Sequence, residues 1–149
     1  MEIRELKEED LESLIKLYEQ LDEANAGFTG EEARQIWKKE IAENKSIKYF
    51  GALEGGKVIS TCYCAIIPNL TRLGGAICFV ENVVTDKAFR GQGLGRKVME
   101  KAIDFAREKN CYKVILQSGS WRKEAHQFYE KLGFDGESKK AFILKLKEY

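Results

Sequence analysis

Arg90-Gly91-Gln92-Gly93-Leu94-Gly95-Arg96-Lys97 constrains this chain more than any other segment, because it joins a strand pattern to a helix pattern through glycine. Ahead of it, Ile77 to Thr85 is an apolar, strand-like run. Behind it, Val98, Met99, Ala102, Ile103, Phe105 and Ala106 recur at helical spacing, with charges between them. Glycines at alternate positions let the backbone adopt φ > 0 and pass close to a ligand without a Cβ clash. The first N–H groups of a helix have no intrahelical partner, and the helix dipole adds positive charge there. Arg90, Arg96 and Lys97 bring full cationic charge to the same place. The segment therefore predicts an anion site suited to phosphate. The alternative is a plain strand-to-helix turn with a solvated basic rim. A P-loop is excluded, since Arg96 and Lys97 follow Gly95. A dinucleotide fingerprint is excluded too, since frames opened at Gly91 or Gly93 place Arg96 or Val98 where the third glycine belongs.

Bulk properties narrow the class. With 149 residues the chain is read as one domain, 1–149, large enough to bury about two thirds of its unfolded surface. Lys plus Arg is 25 against 24 for Asp plus Glu, so no global charge argues for nucleic acid or an anionic membrane. No apolar run reaches membrane-spanning length, and Met1-Glu2-Ile3-Arg4-Glu5 is no signal peptide. Cys62, Cys64, Cys78 and Cys111 all fall in expected strands, and Cys62 and Cys64 should share one face. Their spacing and the lone histidine speak against a metal site, so reduced core thiols in a cytoplasmic protein are expected.

Element patterns give an α/β protein of order βααβββαβαββ. A short strand at Ile3–Leu6 precedes a helix with Leu11, Leu14, Ile15, Tyr18 and Leu21 on one face. A loop from Ala24 to Gly30 contains Thr29-Gly30-Glu31-Glu32, a capping box that starts a second helix with Ala33, Ile36, Trp37 and Ile41 inward. Ser46–Leu53 and Lys57–Ile67 read as a hairpin closed by Glu54-Gly55-Gly56. Cys111 to Gln117 reads as a buried strand and Trp121 to Leu132 as a helix ended by Gly133. A last strand pair is expected near Phe134 and at Ala141–Leu146.

Two segments carry a resemblance to a known family. Arg90-x-x-Gly93-x-Gly95 resembles the Q/R-x-x-G-x-G/A signature of the GNAT acetyltransferase superfamily. Phe128-Tyr129-Glu130-Lys131-Leu132-Gly133-Phe134 is similar to that family's "YEKLGF" helix ending. The two occur in the family's order and separation, and the resemblance covers roughly residues 46–146. It implies a mixed central sheet flanked by helices and acetyl-CoA as co-substrate. The coenzyme's diphosphate would be held by the turn, Arg90, Gly91, Gln92, Gly93, Leu94, Gly95, Arg96 and Lys97. Backbone groups of Val83, Val84 and Thr85 would hydrogen-bond the pantetheine arm, and Ser120, Arg122 and Phe128 would add contacts to the coenzyme. Many members carry asparagine seven residues before the tyrosine; Arg122 stands there in this chain.

Acetylating an amine requires removing a proton from the ammonium, attacking the thioester and neutralising the departing thiolate. A phenol near ~10 beside a thiol near ~8.5 can supply that last proton. Tyr129 matches the family's tyrosine and is the expected acid, although it also lies on a helical stripe with Ala125 and Phe128. Glu81 interrupts the apolar run Ile77–Val80, where an unpaired carboxylate would be costly. It corresponds to a family glutamate that serves as base or substrate anchor; a structural pairing with a nearby cation is equally open. Loops at residues 20–30 and Pro68–Gly75 should flank the acceptor, with Phe28, Asn69 and Arg72 as contacts. The expected activity is N-acetylation of a small-molecule amine, with a homodimer as an open option and neither nucleic acid nor membrane as partner. A protein or peptide acetyltransferase and a non-catalytic acetyl-CoA-binding module are the alternatives. Resemblance around Val80–Val84 and Cys111–Leu116 extends to the glucosamine-6-phosphate N-acetyltransferase branch, though the N-terminal third does not match it clearly.

Overall fold

The computed structural model describes residues 1–22 and 25–148; Ala24, where the loop was expected to begin, lies outside them. By its contacts the chain divides into two compact units, Met1–Ile115 and Leu116–Tyr149. The sheet runs in simple sequence order. Strands β1 (Glu2–Glu5), β2 (Ile47–Glu54), β3 (Lys57–Ile67) and β4 (Ala76–Thr85) form an antiparallel meander, and β5 (Cys111–Leu116) lies beyond β4. The β2–β3 hairpin turns on Gly55 and Gly56 at φ 56° and 76°, the left-handed pair that a tight two-residue turn requires.

Alternation along the strands separates two faces. Helices α1 (Leu11–Tyr18) and α2 (Gly30–Ile36) contribute to a core of Leu6, Leu11, Leu14, Ile15, Leu17, Ala33, Trp37, Leu53, Val58 and Val84. On the other face Cys62 and Cys64 are fully buried, as their shared parity predicts. There the Cys62 thiol lies 3.9 Å from the Val98 carbonyl of α3 (Leu94–Glu108), and Phe50 meets Phe105 edge-on at 6.0 Å. All four cysteines are free thiols, and burial pushes Cys62 up to about 12.

The capping box forms as read: Glu32 N–H donates to Thr29 Oγ1 at 3.2 Å and Thr29 N–H to Glu32 Oε2 at 2.8 Å. Ile36, expected inward, is instead 48% exposed. The helix widens directly after it into a π-type turn, Trp37–Ile41, which changes the angular spacing, while Ala33 and Trp37 are buried as expected.

Sequence and structure also part company at the C-terminus. The expected closing strand pair does not form among the described residues, so the order ends βααβββαβα with α4 (Lys123–Lys131). Phe142, Leu144 and Leu146 alternate correctly for a strand yet are 84–88% exposed. Alternation supplies a face to bury, but a strand also needs a ladder of backbone partners, which propensity alone cannot provide. As the final strand of the sheet, β5 is partly exposed along its length, not buried as its sequence suggests.

One ion pair ties β1 to the start of α1. Arg4 grips Asp10 through both guanidinium nitrogens, at 2.7 and 3.0 Å, and Lys7 N–H donates to the same carboxylate at 2.7 Å. Asp10 is 5% exposed; burial opposes its charge, but the Arg4 and Lys7 hydrogen bonds hold its pKa below the ordinary carboxylate value. A depressed carboxylate stabilises the fold above its unfolded pKa and loses that contribution as pH falls through its folded pKa. Asp10→Asn should cost about 2–3 kcal/mol at neutral pH, since it removes the buried charge partner of the half-buried Arg4 and leaves it the exposed Glu2 at 3.2 Å, and less in acid. Urea melts of both proteins at pH 7 and pH 3 check this; equal losses at both values would deny the pair its role.

Candidate active site

The glycine turn is built by its neighbours. Asp86 follows β4, and its carboxylate accepts the Ala88 N–H at 2.8 Å while its own N–H reaches Ile59 O at 2.8 Å. Gln20, just past α1, clips this loop from outside: its Nε2 donates to Asp86 Oδ2 and its Oε1 accepts the Lys87 N–H, both at 3.0 Å. Arg90 folds back so that its Nε donates to Thr85 O at 3.1 Å. Gly91 and Gly93 then take φ 78° and 74°, and a Cβ at either position would meet no protein atom within 4 Å. Gly95 is already helical. The Lys97 N–H, bonded to Gly93 O at 3.2 Å, belongs to the first turn of the helical ladder, so the amides ahead of it precede that ladder. Arg96 sits half-exposed with its guanidinium 3.6 Å from Glu100. An open concave backbone, the positive end of a 15-residue helix and basic side chains together fit a diphosphate.

Strand β4 is irregular at the point where Glu81 stands. Thr61 pairs with Val84, but Tyr63 pairs with Glu81, so β4 holds one residue more than β3 between these pairs. Asn82 takes up the excess at φ 52°, a left-handed conformation that asparagine tolerates better than most residues. This β-bulge removes main-chain groups near Asn82 and Val83 from the ladder. It also keeps Val84 facing the α1 core while Glu81 occupies the same face. Burial raises the Glu81 pKa, opposed by the Asn82 backbone N–H. Thr85 meets Ser60 hydroxyl to hydroxyl at 2.8 Å.

The remaining candidates of this unit lie in loops. Phe28 is 39% exposed ahead of α2. Asn69 is occupied within its own loop, its Nδ2 donating to Thr71 Oγ1 at 2.8 Å and Gly75 O at 3.3 Å. The Arg72 guanidinium lies over the Tyr112 ring at 5.7 Å.

In the second unit, residues 117–122 turn into α4 with Arg122 at its N-cap position. Ser120 and Arg122 are exposed, and the Ser118 hydroxyl is buried without a hydrogen-bond partner. His126 is half-buried with Nε2 2.8 Å from Gly119 O, so it braces the loop before the helix. Tyr129 is 8% exposed, its ring edge-on to Phe128 at 5.2 Å and to Phe134 at 6.1 Å.

The family model described as "Acetyltransferase (GNAT) family" matches residues 8–134. The chain belongs to the GNAT acetyltransferase family. It is 36% identical over 134 residues to a glucosamine 6-phosphate N-acetyltransferase of Trypanosoma brucei brucei, covering 90% of this chain and 88% of that protein. A solved chain from Agrobacterium tumefaciens str. C58 superposes with TM-score 0.90 at 37% identity, over 97% of this chain and 99% of that one. The glucosamine-6-phosphate N-acetyltransferase structure from Arabidopsis thaliana gives 0.81 at 28% identity, over 99% and 97%. GNAT enzymes are acyltransferases that use acetyl-CoA, which supplies the activated acetyl thioester, and the open amide turn is the part of this chain suited to hold its diphosphate. No group of three or more His, Cys, Asp or Glu able to hold a metal occurs among the described residues, and no helix among them is long and apolar enough to cross a membrane. Sequence reasoning missed the bulge at Asn82 and the Gln20 clip. An asparagine directly after the out-of-place Glu81 was the available signal for the first; the second joins positions 66 and 67 residues apart and had none.

Proposed function

We propose that this GNAT enzyme transfers the acetyl group of acetyl-CoA to a primary amine of a small molecule by direct attack. The observation that carries the reading is the open turn at Gly91 and Gly93, heading α3 and following the strand that holds Glu81. Amides of the turn, with Arg90, Arg96 and Lys97, hold the diphosphate, and main chain of Val83–Thr85 takes the pantetheine arm. Main-chain N–H groups released by the bulge face the charge that develops on the carbonyl oxygen. Glu81 accepts the proton of the ammonium, directly or through water, and Tyr129 donates a proton to the departing sulfur. Ser120, Arg122 and Phe128 complete the coenzyme contacts, and Phe28, Asn69 and Arg72 flank the acceptor. The family match running from 8 to 134 supports a single catalytic domain. Glucosamine 6-phosphate as acceptor is a second reading, favoured by similarity to the trypanosomal enzyme over nine tenths of the chain.

The test is thiol release from acetyl-CoA with amino sugars, their phosphates, polyamines and peptides. Turnover confined to peptides would make this a protein acetyltransferase, and bound coenzyme without turnover a binding module. Glu81 adds a pH test. Protonated Glu81 cannot take a proton, so kcat/KM should rise with pH through a pKa above the ordinary glutamate value of ~4.3. Glu81→Gln should lower kcat/KM about 100-fold and remove that acidic limb. A limb that persists in the variant assigns the base elsewhere.

A further inference from the structure

Sheet register places a row of rings beside Glu81. Tyr49 on β2 pairs with Tyr63 on β3, which pairs with Glu81 on β4, so the three side chains share one face. The Tyr49 and Tyr63 rings stack at 4.8 Å and 16°, and Trp37 leans on Tyr49 at 5.4 Å. Tyr18 closes the row from α1; its hydroxyl is buried without a hydrogen-bond partner among the described residues. Tyr49, Tyr63 and Glu81 all stay partly exposed. Three polar-tipped rings and a carboxylate in line are a poor choice for a dry core, where burial pushes Tyr49 up to about 12 and raises Tyr63, the nearby Glu81 charge adding to the latter. They suit a ligand with a positive end and a flat, CH-rich body: ring faces attract both the cation and the CH groups, and Glu81 fixes the nitrogen.

We propose that Tyr63, backed by the stacked Tyr49 ring, forms the acceptor platform, and that it takes a primary ammonium compound with a ring-shaped body laid on the outer face of Tyr63 and its nitrogen at Glu81. The inference rests on the acetyltransferase reading above and adds the shape of the acceptor and the residues that select it. No element of the glycine turn takes part, so coenzyme and acceptor are recognised by separate groups of this unit.

Trp37 makes binding visible without turnover, because it touches Tyr49 and the chain's other tryptophan, Trp121, can be replaced. In a Trp121→Phe background, titration with glucosamine and with phenylethylamine should each change Trp37 fluorescence saturably, and spermidine, which has no ring, should bind more weakly. Tyr63→Ala should weaken the ring amines about tenfold and Glu81→Gln similarly, with acetyl-CoA affinity unchanged in both. In steady state, Tyr63→Ala should raise the amine KM with little change in kcat. Equal binding of spermidine, or unaltered amine affinity in Tyr63→Ala, overturns the platform. Fluorescence binding without thiol release from acetyl-CoA would instead retain the platform and refute the catalytic reading.

Discussion

Gly93→Val is expected to abolish measurable acetyl-CoA binding while leaving the fold assembled. Gly93 sits at φ 74°, where a branched side chain is strained by roughly 1–2 kcal/mol. Its Cβ would project into space that no protein atom occupies within 4 Å, the space through which, on the proposed reading, a diphosphate approaches the amides. Strain and exclusion act together, so a loss of at least about 100-fold in affinity is expected by calorimetric titration. Gly93→Ala should fall between the two proteins, because it keeps the strain and presents only a methyl group. The buried side of α3, with Leu94, Val98, Met99 and Ala102, is untouched, so circular dichroism should show an unchanged helix content. Full affinity in Gly93→Val would remove the turn from the coenzyme site.

Tyr129→Phe is expected to act on chemistry and not on binding. Tyr129 is buried edge-on against Phe128 and Phe134, contacts that a phenylalanine ring keeps. Removing only the oxygen keeps this ring packing, and acetyl-CoA affinity should stay nearly unchanged. If the phenol protonates the departing thiolate, kcat should fall about 100- to 1000-fold, and less with a thioester whose thiol is more acidic. Rescue by the better leaving group separates an acid from a residue that merely packs. A kcat equal to that of the parent enzyme would leave Tyr129 as one more aromatic of its cluster.

Much of the fold was legible because it follows from local rules. The capping box at Thr29 and Glu32, the Gly55–Gly56 hairpin and the shared face of Cys62 and Cys64 each depend on residues close in sequence. The glycine turn was legible for the same reason. What escaped depends on partners far along the chain. The bulge at Asn82 exists only relative to the β3 register, and the Tyr49–Tyr63–Glu81 row only when three strands are laid side by side. The C-terminal apolar alternation was visible at Phe142, Leu144 and Leu146, but alternation does not say whether a neighbouring strand is available. Ile36 failed because a π-type turn breaks the periodicity on which helical faces are read.

The central claim is that main-chain amides from Gly91 to Arg96 hold the coenzyme's diphosphate. Backbone amide NMR of the labelled protein, titrated with coenzyme A, addresses it residue by residue. The account expects the largest shifts at the Gly91, Gly93 and Gly95 amides, saturating together with a single affinity. Saturable binding that leaves those three resonances in place would contradict it.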